Sequence, residues 1–232
     1  MVLAASTLLE RNRLFRGLPA ATIGQIASLS VRRQYAAGTI IFSQGDAGNA
    51  LYGVITGRVR ISASGPDGRE MFLNIMEPGD TFGEIALLDG NPRTATASVM
   101  APSEVLVIAR DPFLELLQRE PKVAVHLLSL LCQRIRWTSG LAEDSALLSL
   151  PARLARRLLS LGKLHGHDTH EGLHLKISQE EIARFLGVSR QVVNQYLQDW
   201  KANGWVRIGR ARMTIVDPQA LERTAEQSAD ER

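Results

Sequence analysis

Between residues 31 and 110 the chain is cut into short β-branched runs by glycine, mostly with aspartate or proline beside it. The runs are GTIIFSQGD, LYGVITGRVRISASGPDGREMFLNIMEPGD and ATASVMAPSEVLVIARD. Turn signals stand at Gly45-Asp46, Gly57, Pro66-Asp67-Gly68, Pro78-Gly79-Asp80, Asp89-Gly90 and Ala101-Pro102. They recur about every eight to twelve residues, the rhythm of an antiparallel sandwich or barrel. Pro66-Asp67-Gly68 reads as a hairpin turn.

The flanks are helical. Residues 6–30 place Leu8, Leu9, Leu14, Leu18, Ile23, Ile26 and Leu29 at helical spacing, with Pro19 expected to start a short helix. After Asp111-Pro112 no strong breaker occurs before Pro151; Asp111 is expected to cap that helix, with Pro112 at its first position. Within it, Ala124, Leu128, Leu131, Ile135, Thr138, Ala142 and Ser145 alternate in steps of four and three. So narrow a stripe favours the seam of a parallel two-stranded coiled coil over a helix lying on its own domain. Residues 146–160 read as a further helix, followed by the polar loop GKLHGHDTHEG. The fold class expected is α+β.

Charge separates the two ends. Residues 1–145 carry 14 basic and 14 acidic side chains, residues 146–216 carry 11 and 5, and the tail from Asp217 carries 2 and 5. A basic segment after a neutral one suits a polyanionic partner, or is an uneven solvated surface. The segment ISQEEIARFLGVSRQVVNQYLQDWKANGWV decides between them. Ser178 and Glu181 form a capping box, Ile182, Ala183, Phe185 and Leu186 make an apolar face, and Gly187 permits a tight turn. Ser189 then caps a second helix whose Val192, Val193, Tyr196, Leu197 and Trp200 face inward. This is a helix-turn-helix, which presents the start of its second helix to the major groove of double-stranded DNA. The candidate DNA contacts are Ser178, Gln179, Ser189, Arg190, Gln191, Asn194 and Gln195, with Arg207, Arg210 and Arg212 of a two-stranded wing, VRIGRARMTIV, for phosphates.

FGEIALLDGNPRTATASV, residues 82–99, sets Glu84 and Arg93 in an otherwise apolar stretch. They are either a surface ion pair or the lining of an anion pocket. Arg93 can neutralise a phosphate and donate two hydrogen bonds, and Thr94 can add a hydroxyl. Glu84 is acceptor-only when ionised, Gly83 lets the backbone approach a ligand, and the N–H groups of Ile85 and Ala86 can point at an anion.

The order of these parts resembles the cAMP receptor protein/FNR family of bacterial transcription regulators over roughly residues 8–218. FGEIALLDGNPRTATA is similar to that family's phosphate-binding cassette. The resemblance implies an antiparallel β-roll that binds cyclic nucleotide (residues 1–110 with the N-terminal helices), a dimerisation helix (111–145) and a C-terminal winged helix-turn-helix (146–232). It implies cAMP as an allosteric ligand bound at Gly83, Glu84, Ile85, Ala86, Arg93 and Thr94. It also places Thr138 and Ser139 on the Thr-Ser pair that contacts adenine, one residue from each subunit. Thr94 stands where cGMP-selective relatives often carry threonine, so cGMP is a second candidate; cyclic di-GMP, or no ligand, is a third reading. Gln191 and Gln195 depart from the acid and arginine of the cAMP receptor protein's recognition helix, which implies a shifted half-site. A homodimer, a pseudo-palindromic operator and RNA polymerase are the implied partners.

Other readings are weaker. His165, His167 and His170 in the polar loop, and His174 just after it, have no cysteine partner, and no metal site is expected there. His126 reads as a packed histidine and Cys132, the single cysteine, as a buried helix residue. One cysteine excludes an internal disulfide and a cysteine-ligated iron–sulfur cluster within one chain. Trp137 either stacks near the base or fills a hinge. A cyclic-nucleotide enzyme would need a metal cluster or an activated nucleophile, and residues 31–110 contain no histidine, so no enzyme is expected. No apolar run reaches the roughly 18 residues of a membrane span and no signal peptide is read; the expected compartment is the cytoplasm.

Overall fold

The computed structural model describes residues 5–226 apart from 13, 67 and 69. Asp67 of the expected hairpin turn, and the side chain of Leu8, lie outside the described residues. The chain divides into two compact units, Met1–Arg69 with Leu73–Ile135, and Glu70–Phe72 with Arg136–Arg232.

In the first unit, α1 (Ala5–Arg11) and α2 (Ala20–Ser28) precede β1 (Ser30–Tyr35), β2 (Ile40–Phe42), β3 (Ala50–Ser64), β4 (Glu70–Met76) and β5 (Thr81–Phe82). Then come α3 (Glu84–Asp89), β6 (Thr96–Ala109), α4 (Arg110–Arg119) and α5 (Pro121–Leu147); Glu70–Phe72 of β4 and α5 from Arg136 onward count with the second unit. The strands run β1-β6-β3-β4 in one sheet, β2 pairing with β6 and β5 with β3, antiparallel as the glycine rhythm predicts. Two of the expected turns are not turns. Gly57 and Ala101-Pro102 lie inside β3 and β6, which stay paired through register shifts between Val54 and Val59. Gly57 has φ +84°, and a Cβ there would come within 2.5 Å of the Pro102 carbonyl oxygen. Ser103 Oγ fills the irregularity by accepting from Arg58 N–H at 3.0 Å. A bulge demands the same left-handed residue as a turn, so sequence alone reads the two alike.

Two apolar clusters lie in this unit among the described residues. One joins Leu9 of α1, Leu14 and Phe15 of the turn after it, and Ile23 and Ile26 of α2 to Leu51, Leu106 and Ile108 of the long strands and to Phe113, Val123 and Leu127. The other is Val54, Val59, Met76, Phe82, Ala97 and Val99 inside the roll. Buried Asn12 ties the first to β5: its Oδ1 accepts from Leu14 N–H at 2.9 Å and from Thr81 Oγ1 at 2.8 Å.

Several helix boundaries differ from expectation. Pro19 is the N-cap of α2, not its first residue. The run from Asp111 is two helices: Glu120, at φ −124° and ψ 77°, is held out of helical geometry ahead of Pro121, as the residue before proline is. α4 starts at Arg110 with Ala109 as N-cap, and Asp111 makes no capping bond; the Arg110 N–H donates to Asn49 O at 2.9 Å, which turns the chain one residue early. On α5, Val123 and Leu127 are buried whereas Leu128 (59% exposed) and Ile135 (63%) on the predicted seam face out, with Val125 beside them. Cys132 is exposed, not buried. It stands nine residues after Val123, about half a turn round from the inward stripe. His126 Nδ1 lies 3.2 Å from Leu14 O, a packed histidine as read.

The second unit contains α6 (Leu150–His165), β7 (His167–Thr169), β8 (Gly172–Leu175), α7 (Gln179–Leu186), α8 (Arg190–Ala202), β9 (Val206–Gly209), β10 (Arg212–Ile215) and α9 (Pro218–Ala225). The helix expected over 146–160 starts instead at Leu150, after α5 runs on to Leu147, and continues to His165. Ser149 is its N-cap, with Pro151 in the first turn. The polar loop contains a hairpin, β7–β8, which joins the wing in a sheet of order β7-β8-β10-β9. Its strands are short and β7 is exposed throughout, so no alternation marks it. α9, also unread in the sequence, is capped by Asp217 and buries Ala220, Leu221, Thr224 and Ala225, in a unit where it packs on α6. Arg156 links its end to α5, donating from Nε to Ala225 O at 3.1 Å and from Nη1 to Asp144 at 2.7 Å.

Candidate functional site

Arg93 is buried, 4% exposed, on the connection between α3 and β6. Its backbone is clamped to the β2–β3 loop, its N–H donating to Asp46 O at 2.7 Å and its carbonyl accepting from Gly45 N–H at 2.9 Å. The guanidinium donates from Nη1 to Gly83 O at 2.6 Å and from Nη2 to Ala50 O at 2.8 Å. Its Nε is buried and has no hydrogen-bond partner among the described residues. Burial lowers the arginine's pKa, with Tyr52, Glu84 and Asp46 opposing the shift. Burial likewise raises that of Tyr52, against the pull of Arg93. A buried cation with an unused donor is able to take an anionic partner.

Gly83 is the N-cap of α3 at φ +85°. A Cβ there would fall 2.8 Å from Arg93 Nη1 and 3.2 Å from both Ala50 O and the Tyr52 ring, so glycine is required by conformation and by space. Glu84 follows, 2% exposed. It is neither on the surface nor paired with Arg93: Arg134 of α5 holds it, Nε to Oε1 at 2.8 Å, while the same arginine donates to the Thr81 carbonyl. The surface ion-pair reading of Glu84 and Arg93 is therefore wrong. Ala86 is buried, Ile85 is 39% exposed, and Thr94 is exposed beside Arg93. Arg134 lies 50 residues further along the chain and shares α5 with Lys122, Arg136, Glu143 and Asp144, so no local pattern singles it out in the sequence.

Thr138 and Ser139 lie exposed on α5. Trp137 stacks over Arg157, whose Cζ is 5.1 Å from the Trp137 ring and 5.1 Å from that of Phe185 on α7. Arg157 is 7% exposed, and burial pushes its pKa down to about 10, with Asp144 opposing. Trp137 therefore fills the stack beside α6 and α7.

In the helix-turn-helix, the capping box is present: Ser178 Oγ accepts from Glu181 N–H at 3.1 Å, and Glu181 Oε2 accepts from Ser178 N–H at 2.7 Å. Gly187 ends α7 in the left-handed region and Ser189 caps α8. Val193, Leu197 and Trp200 are buried, Val192 and Tyr196 half-buried. Ser189, Arg190, Gln191 and Gln195 are exposed, and Asn194 Oδ1 accepts from Gln198 at 3.2 Å. Ser178 and Gln179 are half-buried at the start of α7. Arg210 and Arg212 are exposed at the wing turn, whereas Arg207 pairs with Glu171 at 3.0 Å. His167 opposes His174 across β7–β8, and His174 Nδ1 is 3.1 Å from Thr214 Oγ1.

A roll with a buried arginine and carboxylate beside a tight glycine, followed by a winged helix-turn-helix, defines a ligand-sensing DNA-binding transcription regulator. Residues 32–120 match the family model of the cyclic nucleotide-binding domain, and residues 152–224 that of the Crp-like helix-turn-helix domain. The chain is 33% identical over 222 residues to the CRP-like cAMP-activated global transcriptional regulator of Mycobacterium tuberculosis, covering 94% of this chain and 98% of that one. It is 36% identical over 214 residues to the cyclic AMP receptor protein of Thermus thermophilus, covering 91% and 96%. Among solved structures it is similar to the c-di-GMP responsive global regulator CLP of Xanthomonas campestris, with TM-score 0.76, 28% identity, and 85% and 99% coverage. It is also similar to the Thermus thermophilus catabolite activator protein, with TM-score 0.54, 33% identity, and 92% and 98% coverage. The chain belongs to the CRP/FNR family of cyclic nucleotide-binding transcription regulators.

Proposed function

We propose that this protein is a homodimeric regulator, activated by cAMP, that binds a pseudo-palindromic operator in double-stranded DNA. The observation that carries the ligand reading is Arg93, buried with an idle Nε–H beside buried Glu84. A cyclic phosphate supplies the missing acceptor and the charge, and a ribose hydroxyl can donate to Glu84. The two relatives above are named for cAMP, which favours it over cGMP; exposed Thr94 is the feature that suits cGMP. The ligand-binding group is Gly83, Glu84, Ile85, Ala86, Arg93 and Thr94, with Thr138 and Ser139 reading the base.

Residues 1–110 act as sensor, 111–145 as dimerisation segment and 146–232 as reader. The outward seam of α5, with Leu128 and Ile135, is the face a second copy covers. Ser189, Arg190, Gln191, Asn194 and Gln195 read bases, with Ser178 and Gln179 on the backbone. Arg210 and Arg212 meet phosphates, and Arg207 stays with Glu171. The ligand favours the DNA-competent arrangement through its differential affinity for the two states. The protein works in the cytoplasm with RNA polymerase, needs no metal and catalyses nothing. Among the described residues no helix is long and apolar enough to cross a membrane.

Calorimetric titration with cAMP, cGMP and cyclic di-GMP tests the ligand. cAMP is expected to bind most tightly, and Arg93→Ala to weaken it by at least about 30-fold with the fold intact. Equal cAMP affinity in that variant overturns the pocket. Tighter binding of cyclic di-GMP, the ligand named for the Xanthomonas relative, overturns the choice of nucleotide.

A further inference from the structure

Arg93 is held by more than carbonyls. Its Cζ lies 4.2 Å from the ring centroid of Phe42 on β2 and 5.8 Å from that of Tyr52 on β3. The two rings are 5.5 Å apart and tilted by 43°. Phe82, 1% exposed, backs both: it stacks on Tyr52 at 5.1 Å and 12° and meets Phe42 at 6.0 Å. A guanidinium is planar, with donors along its edge and a face that packs on aromatic rings. Here one N–H of each Nη is engaged, by Gly83 O and Ala50 O, Cζ lies over the Phe42 ring, and Nε–H with the second N–H of each Nη remains. Two carbonyls fix where the group points. They leave it free to rock about the line between them, and a ring 4.2 Å from Cζ removes that freedom.

We propose that Phe42 and Tyr52 are positioning residues that orient the Arg93 guanidinium, so that its remaining N–H groups discriminate between the two exocyclic oxygens of a bound cyclic phosphate. The inference rests on the cyclic-nucleotide reading of this site. It adds an orientation to a charge: a free cation attracts both oxygens equally, whereas a locked plane prefers one. Leucine at 42 keeps most of the volume and loses the π face; tyrosine keeps the face.

The test uses the full-length protein and the two phosphorothioate diastereomers of cAMP, each with sulfur in place of one exocyclic oxygen. Sulfur is larger and a weaker acceptor, so a fixed donor separates the two. The wild type is expected to bind one diastereomer about tenfold or more tightly than the other. Phe42→Leu is expected to weaken cAMP by about tenfold and bring the diastereomer ratio close to one, a loss of the size a desolvated cation–π contact carries. Phe42→Tyr is expected to restore the wild-type ratio. Tyr52→Leu, at the more distant ring, is expected to move the ratio the same way by less, and stands in if Phe42→Leu fails to fold. A wild-type ratio near one overturns the proposal. So does an unchanged ratio in Phe42→Leu, including one with both affinities reduced equally, as a packing defect would give. Failure of the wild type to bind any cyclic nucleotide overturns the reading of the site itself.

Discussion

At the scale of single residues, two positions show how sharply the fold constrains side chains. Gly83 needs φ +85° and has no room for a Cβ against Arg93 and Tyr52. Gly83→Ala is expected to cost about 1–3 kcal/mol in urea unfolding and to weaken ligand binding by displacing the guanidinium. Arg157 is the second. Its lowered value means that folding disfavours the charged form. The cost is fully present at every pH below about 10 and is relieved only as pH rises from there toward the ordinary arginine range. The rings of Trp137 and Phe185 offset part of it. Arg157→Met is therefore expected to unfold at the same or a higher urea concentration than the wild type. Arg157→Lys is expected to lose about 1–2 kcal/mol, because a compact, strongly hydrated ammonium cannot lie flat between two rings. The sequence shows Arg93, Glu84 and Gly83 as a group because they are local. It does not show Arg134, Phe42, Tyr52 or the Arg157 stack, which depend on contacts between residues far apart in the chain.

At the scale of elements, what could be read was what short-range rules govern. Ser178 with Glu181, Gly187 and Ser189 fix the helix-turn-helix through caps spaced within four residues. The bulge at Gly57, the β7–β8 hairpin and α9 could not be read, because each is stabilised by a partner elsewhere: Ser103 across the sheet, β10, and α6. The wing and α8 divide the proposed work on DNA in a way that can be measured. Arg212→Ala is expected to weaken binding to all sequences alike and to reduce the salt-dependence slope by about 1. Gln191→Ala is expected to leave that slope alone and to relax preference at one base pair, by about 1–3 kcal/mol. Fluorescence anisotropy against specific and scrambled duplexes at several salt concentrations separates the two.

At the scale of the whole molecule, the charge count places the excess of basic side chains in residues 146–216, where the reader lies, and leaves residues 1–145 neutral. Among the described residues α5 carries several of the most exposed apolar side chains, Val125 and Leu128 at 59%, Ile135 at 63% and Leu147 at 64%; Val31 on β1 and Ile40 on β2 are comparably exposed. Leu128→Asp, which places a charge on that seam, is expected to convert a dimer to a monomer in analytical ultracentrifugation, with each unit still folded by circular dichroism. If the seam pairs copies, it pairs them without regard to whether each carries a sound reader. A cell producing intact chains alongside equal numbers of chains altered only at Arg190 and Gln191 would assemble half of all its chains into mixed pairs and only a quarter of its pairs from two intact chains. Such an allele would behave as a dominant one, and the exposed face of α5 would be the reason.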